Sequence, residues 1–126
     1  MRALSLTQPW ASLVMDERKH IETRSWPMPD HLVGKEIAIH AAKSIDKEAC
    51  RAFGYDPETI PRGCVLGTVE MGRSFQFSES TVASIPFEEK CYGDFYFGRW
   101  GFPMNAVKRF SDPIPAKGSL GFWEWV

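Results

Sequence analysis

Short segments in which side-chain character alternates from one residue to the next recur along this chain, and they limit the folds open to it. A period of two is typical of β-strands, because successive side chains point to opposite faces. Closing such strands into a barrel would remove exposed sheet edges. The pattern therefore predicts an α+β fold, a small mixed β-barrel with two or three short helices. The predicted strands are residues 2–6, 19–26, 36–42, 63–72, 99–104, 106–110 and 122–125.

The predicted helices carry start and stop signals. Thr7 is placed to cap a first helix, and Pro9 suits its first turn because the missing amide hydrogen is not needed there. Ser44 is a favourable cap for a second helix, which Gly54 would end. A third short helix is expected near residues 80–85.

Length and composition limit the class of protein further. A chain of 126 residues with 44% hydrophobic and 25% charged residues is expected to form one globular domain, residues 1–126. The net charge of −1 excludes the overall basic field of many nucleic-acid-binding proteins. The charge is uneven, however, because residues 97–117 hold four Lys or Arg against one Asp. A local basic patch therefore stays open.

The cysteines and the hydrophobic runs indicate where the protein works. Cys50, Cys64 and Cys91 are odd in number and widely spaced, which fits neither a disulfide framework nor paired zinc ligands. No apolar run suits a signal peptide or a membrane span. These features predict a reducing, cytoplasmic setting with no membrane association.

The strand predicted at residues 19–26 has an unusual polar face. Alternation places Glu22, Arg24 and Trp26 on one side, and Lys19 stands just before them. An acid and a guanidinium two residues apart can orient each other, and the indole offers a stacking surface. The alternative is a solvated strand face with a structural ion pair.

Other polar residues fall on or beside the predicted strands. His40 has small neighbours in the third strand, Lys43 follows that strand, and Glu70 lies in the most apolar strand or at its solvent-exposed end. The sequence has no phosphate-binding glycine loop, dinucleotide fingerprint, metal-ligand spacing or nucleophile elbow. No cofactor and no metal are therefore predicted. Two chemistries stay open: a buried Lys acting as a base, or Lys19 and Lys43 holding phosphates beside a stacking indole.

At these residues the chain resembles the ASCH domain family. The similarity extends over nearly the whole chain, except for residues 75–92, and rests on motifs in a fixed order. These are Leu4-Ser5-Leu6-Thr7-Gln8-Pro9-Trp10-Ala11-Ser12-Leu13, Lys19-His20-Ile21-Glu22-Thr23-Arg24-Ser25-Trp26, Ile39-His40-Ala41-Ala42-Lys43, Pro61-Arg62-Gly63-Cys64-Val65-Leu66-Gly67 and Lys117-Gly118 with Gly121-Phe122-Trp123.

The resemblance implies a pseudouridine-synthase-like (PUA-like) barrel with a cleft for RNA or another nucleic acid. It also implies an alternative, because some members are amidohydrolases that deacetylate acetylcytidine with a Lys, a Thr three residues later and a strand Glu. By position these would be Lys19 and Glu70, whereas the Thr position holds Glu22. Thr23 is adjacent, but alternation turns it to the opposite face. A related member is a ribonuclease, whose catalytic residues have no counterpart that can be assigned here.

The leading hypothesis is a binding module for RNA, single-stranded nucleic acid or a modified nucleoside. Its cleft is expected to bring Glu22, Arg24 and Glu70 together. The predicted ligand-binding residues are Trp10, Arg24, Trp26, His40, Lys43, Arg99 and Lys117. If the protein is an enzyme, the candidate catalytic residues are Lys19, Glu22 and Glu70, acting on an acylated cytidine or, less favoured, on RNA. A third hypothesis is a protein-interaction domain with a structural charge network, and the sequence leaves the oligomeric state open.

Overall fold

Seven strands form one mixed sheet that curls into a half-barrel. The structure is a computed structural model that describes residues 1–125. The strands are β1 (Arg2–Gln8), β2 (Ile21–Arg24), β3 (Glu36–Ile45), β4 (Cys64–Met71), β5 (Phe75–Gln76), β6 (Trp100–Pro115) and β7 (Phe122–Glu124). The helices are α1 (Trp10–Met15), α2 (Lys47–Ala52), α3 (Glu79–Ala83) and α4 (Phe87–Lys90), with a 3-10 turn at Asp30–Leu32. The predicted α+β barrel-like fold is confirmed, with four short helices where two or three were expected.

The strand order is β2-β6-β4-β3-β1-β7, and β5 also pairs with β6. Only β1 and β3, of the described strand pairs, run parallel. The two strands predicted at residues 99–104 and 106–110 are one strand of 16 residues, β6. Its first half pairs with β2 and its second half with β4. The strand continues through Ala106 although this residue has a φ of 50°. β6 therefore joins the part of the sheet that contains β2 to the part that contains β4.

Gly67 allows β4 and β6 to approach closely. A Cβ at this position would lie 2.2 Å from the carbonyl oxygen of Lys108 in β6 and 2.7 Å from the sulfur of Met15 in α1. Only glycine avoids both contacts, so Gly67 permits α1 and β6 to pack on β4 together. The hydrophobic core beneath them includes Leu4 and Val69, which are both fully buried.

Tertiary contacts correct both predicted helix caps. Thr7 and Ser44 lie within β1 and β3, and their hydroxyl oxygens are 3.2 Å apart. Pairing of β1 with β3 extends both strands beyond the positions where the sequence pattern ended them. The first turn of α1 is capped instead by Gln8, whose Oε1 accepts from the amide of Ser12 at 3.0 Å. The side chain of Asp46 caps α2.

The segment without a family motif, residues 75–92, is folded against β2 and β6. The helix expected near residues 80–85 is α3, which begins at Glu79 behind a capping box formed by Ser78 and Thr81. A further turn of helix, α4, follows directly and brings its C-terminal end toward the start of β2. No helix within residues 1–125 is long and apolar enough to cross a membrane.

Candidate functional site

A cavity of about 570 Å³ opens between the end of β1, the start of α1, strand β2 and the loops around residues 91–94 and 119–121. Its size is typical of a small-molecule or nucleoside site. The lining residues come from five separate parts of the chain. They are Ser5, Leu6, Thr7, Trp10, Glu22, Thr23, Arg24, Ala42, Ser44, Asp46, Cys91, Tyr92, Gly93, Asp94, Ser119, Leu120 and Gly121.

Glu22 and Arg24 form an ion pair in the cavity wall. Nε and Nη2 of Arg24 each lie 2.9 Å from Oε2 of Glu22, and Nη2 also donates to the carbonyl of Ser5 at 3.3 Å. The Glu22 side chain is 10% exposed and that of Arg24 is 23% exposed. Strand alternation therefore predicted the pair correctly, and Ser5 holds it toward the cavity.

Lys19 lies behind this pair, with only 1% of its side chain exposed. Its ammonium donates to the carbonyl oxygens of Ile21 at 2.7 Å and Tyr92 at 2.6 Å, and it lies 3.5 Å from Oε1 of Glu22. Burial lowers the pKa of Lys19, and the carboxylates of Glu22 and Glu89 oppose that shift. The buried cation thus ties the start of β2 to the loop that forms the opposite cavity wall.

Glu89 is a buried carboxylate that the sequence analysis missed. It is 5% exposed, and its oxygens accept from the amides of His20 at 2.9 and 3.1 Å and of Ile21 at 3.1 Å. The neighbouring Glu88 is exposed. Nothing in the run Glu88-Glu89-Lys90 distinguishes the buried acid from a solvated one, so only the docking of α4 on residues 20–21 reveals it.

Arg18 extends the same connection. Its guanidinium donates to the carbonyl of Phe53 at 2.9 Å and to the hydroxyl of Tyr92 at 3.4 Å, and lies 5.9 Å from the centroid of the Tyr92 ring. The Tyr92 ring also meets that of Phe53 edge-on at 5.0 Å. Consecutive basic residues, Arg18 and Lys19, therefore hold both ends of Tyr92, and this residue lines the cavity.

The two candidate stacking residues occupy different environments. Trp10 lines the cavity at the start of α1. Trp26 packs edge-on against Phe102 and Phe122, at centroid distances of 5.4 and 5.8 Å, and is not among the described lining residues. The Arg24 guanidinium lies 5.8 Å from the Trp26 ring centroid. Trp26 thus supports Arg24 from the core side, whereas Trp10 is the indole beside the open volume.

His40 is buried in a hydrogen-bonded chain beneath the cavity. Its Nε2 lies 2.8 Å from the carbonyl of Ala116, which can only accept, so Nε2 carries the hydrogen. In the neutral ring, Nδ1 then accepts from the hydroxyl of Ser5 at 2.9 Å, and that oxygen accepts from Nε1 of Trp123, also at 2.9 Å. Gly118 closes over this chain, since a Cβ there would lie 2.5 Å from the His40 ring. His40 thus orients Ser5 in the cavity wall.

The remaining predicted site residues lie outside the described cavity lining. Lys43 and Lys117 are exposed and follow or precede lining residues in the chain. Arg99 is half-buried and donates to the carbonyls of Asp94 and Thr23. Glu70 is exposed on β4, paired in register with Glu36 and Asn105. The structure therefore brings Glu22, Arg24, Lys19 and Trp10 together and places Glu70 elsewhere.

The charged residues that line the cavity are mainly acidic. Asp46 and Asp94 are exposed at its edge, and Glu22 is neutralised by Arg24. In the part of the chain that the structure describes, no three His, Cys, Asp or Glu side chains are grouped as metal ligands would be. The arrangement can stack a flat ring, accept hydrogen bonds at Glu22 and donate them from Arg24.

The sequence profile of the ASCH domain matches residues 4–98, which is most of the chain. This chain belongs to the ASCH domain family. The ASCH membership predicted from the ordered motifs is therefore confirmed.

Individual relatives agree with this assignment. The chain is 31% identical over 139 aligned residues to human Activating signal cointegrator 1; the alignment covers 96% of this chain and 22% of that protein. The chain thus spans about a fifth of the length of that relative. The crystal structure of ASCH from Zymomonas mobilis superposes with a TM-score of 0.60 at 20% identity, covering 90% of this chain and 72% of that one. A mutant form of the Zymomonas protein superposes with a TM-score of 0.59, also at 20% identity over 90% of this chain and 74% of that one. The shared ASCH fold is PUA-like, as predicted.

Proposed function

We propose that this ASCH domain binds a nucleobase of RNA or of a modified nucleoside in the cavity between β1 and β2. The observation that carries the proposal is the Glu22–Arg24 pair in the cavity wall, on the same cavity as the indole of Trp10. Arg24 uses Nε and Nη2 on Oε2 of Glu22, and the ammonium of Lys19 lies 3.5 Å from Oε1. A carboxylate oxygen accepts more than one hydrogen bond, so Oε1 can also accept from an exocyclic amine. A base stacked on Trp10 would meet a donor and an acceptor held rigidly side by side.

The distribution of charge supports a base, rather than a phosphate, inside the cavity. Asp46 and Asp94 would repel a phosphate held inside the cavity, and the charge of Arg24 is already balanced by Glu22. The exposed Lys43 and Lys117 adjoin lining segments in the chain and are the proposed phosphate contacts at the rim. Two such contacts with a single strand predict a salt dependence of log K on log[salt] with a slope of about −1.4.

The test compares Arg24→Ala with Lys108→Ala in RNA and nucleoside binding. Lys108 lies in β6 and is exposed, and its ammonium is 3.4 Å from a carboxylate oxygen of Glu36 in β3. Its replacement by Ala is the matched control, because it also removes one basic side chain that pairs with a Glu. Arg24→Ala removes a donor and frees Glu22, and should weaken binding roughly 5- to 150-fold. Lys108→Ala should change binding less than about twofold, because exposed charges act mainly through screened attraction. Equal, small losses in both variants would indicate nonspecific electrostatics and contradict the proposal.

The second candidate function is hydrolysis of an acylated cytidine. The observation that favours it is Lys19, whose pKa is lowered by burial and whose ammonium lies 3.5 Å from Glu22 at the back of the cavity. In this route Lys19 transfers a proton and Glu22 polarises the attacking water. The binding function ranks first, because Lys19 already donates to two carbonyls and Glu70 is not among the described lining residues.

Turnover of acetylcytidine by the wild type, Lys19→Met, Glu22→Gln and Glu70→Gln tests this second candidate. Activity that persists in a folded Lys19→Met variant would contradict the lysine route. Wild-type protein that binds acetylcytidine without releasing acetate would leave binding as the function.

A further inference from the structure

Two aromatic rings project from the loop that follows the cavity wall. Tyr96 is 70% exposed and Phe97 is 67% exposed, although most aromatic residues of the chain pack against other rings. They follow Asp94, which lines the cavity, by two and three residues. Exposed neighbouring rings of this size are an unfavourable surface for a protein in water unless a ligand uses them.

The loop is held in place on both sides of these rings. The amide of Gly98 donates to the carbonyl of Phe77 at 2.9 Å, and Nε of Arg99 donates back to the carbonyl of Asp94 at 3.2 Å. The Phe95 ring packs inward against Phe77 at a centroid distance of 5.0 Å. The fold therefore anchors residue 95 and residues 98–99 and presents the two residues between them outward.

Position relates this surface to the cavity. Two residues of chain span at most about 7 Å, so the backbone of Tyr96 lies within about 7 Å of Asp94. That distance corresponds to about two base steps of 3.4 Å along a nucleic-acid strand. The loop therefore lies within reach of the next one or two bases of a strand that holds one base in the cavity.

The size of the surface favours a base over a folded protein. Two aromatic side chains bury roughly 150–250 Å² each, whereas a stable protein interface needs about 800 Å² from each partner. A single unpaired base of any identity can stack on one aromatic ring, because every base has a flat π-face.

We infer that Tyr96 and Phe97 form a second subsite, which stacks unpaired bases next to the base held in the cavity. This inference rests on the proposed function and extends it: the preferred ligand is a single strand of at least two or three nucleotides, in preference to a free nucleoside or a duplex. A duplex would not offer the faces of adjacent bases, because they are already stacked.

The experiment measures binding of a fluorescein-labelled eight-nucleotide single-stranded RNA, with cytidine 5′-monophosphate and a twelve-base-pair RNA duplex as competitors. Two double variants are compared. One combines Tyr96→Ala with Phe97→Ala. The other combines Tyr96→Leu with Phe97→Leu and keeps an apolar surface without aromatic faces. Phe87→Ala is the matched control, because Phe87 is 83% exposed on α4. Circular dichroism confirms that each variant is folded.

Loss of stacking should weaken strand binding about 5- to 150-fold per base in both double variants. Their affinity for cytidine monophosphate should stay within about twofold of wild type. The strand affinity of the Phe87→Ala variant should likewise stay within about twofold of wild type. Unchanged strand affinity, as expected if the loop instead docks a protein, would overturn the inference, and so would recovery by the leucine variant. An equal loss for strand and mononucleotide would also overturn it, because the loop would then merely shape the cavity. Failure of the proposed function is distinguishable, since the wild type itself would bind neither strand nor mononucleotide.

Discussion

Replacing Lys19 by Met tests whether the buried ammonium holds the cavity wall. Methionine keeps an unbranched, apolar stem of similar length but cannot donate to the carbonyls of Ile21 and Tyr92, which now receive hydrogen bonds of 2.7 and 2.6 Å. Leaving a buried acceptor unsatisfied costs about 1–3 kcal/mol, so losing both hydrogen bonds should lower the free energy of unfolding by roughly 2–6 kcal/mol. Glu22 keeps Arg24 as a partner and adds little to this cost.

Such a loss is large against a domain stability of about 5–15 kcal/mol. Urea unfolding followed by tryptophan fluorescence measures it, with Lys43→Met as the matched control because Lys43 is exposed. The control should stay within about 0.5 kcal/mol of wild type. A loss below about 1 kcal/mol in Lys19→Met would refute the reasoning, because the two carbonyls would then not depend on the ammonium.

The pH dependence gives an independent check of the same residue. Burial lowers the pKa of Lys19 from its ordinary 10.5, so between the folded-state pKa and 10.5 the unfolded chain binds more protons than the folded one. Folding stability contributed by Lys19 therefore rises as pH rises through this window. The stability difference between wild type and Lys19→Met should grow with pH there, and a difference that shrinks would contradict the direction of the pKa shift.

Three further predictions concern other parts of the molecule. Burial, followed by the carboxylate of Asp16, raises the pKa of Tyr55 to about 12, so its contribution to stability is complete below pH 10 and is lost as pH rises through 12. Tyr55→Phe should remove a tyrosinate step near pH 12 from an ultraviolet absorbance titration. Gly118→Ala should cost about 1–3 kcal/mol in thermal unfolding, because its Cβ would lie 2.5 Å from the buried His40, whereas Gly72→Ala meets nothing closer than 3.7 Å and should be near neutral. Glu89→Ala leaves two amides without an acceptor and should cost roughly 2–6 kcal/mol, and hydrogen exchange of those amides that stays as slow as in wild type would contradict this role.

Several site residues were predictable because local patterns determine them. The pairing of Glu22 with Arg24 follows from alternation in a single strand, and it needs no knowledge of the rest of the fold. The same holds for most strands, whose apolar positions repeat every second residue. The family motifs added the PUA-like fold, which local pattern alone did not distinguish from other small barrels.

The predictions that failed or fell short depended on partners distant in the chain. Thr7 and Ser44 have ideal capping side chains, but pairing between β1 and β3 takes both into strands. Glu70 looks unusual in an apolar strand, yet its register with Asn105 places it on the exposed surface, away from the described cavity lining.

The sequence by itself therefore determined most of the strands, the polar face of β2 and the ASCH membership, because each depends on residues close together or on motifs of fixed order. Only the tertiary structure decided that Lys19 and Glu89 are buried and that Trp10 rather than Trp26 faces the open cavity. Their environments are set by residues far away in the chain, such as Tyr92, 73 positions from Lys19, and Phe122, which packs against Trp26. Burial and hydrogen bonding are properties of these long-range contacts, and a charged residue in a polar run carries no local sign of which neighbours will desolvate it.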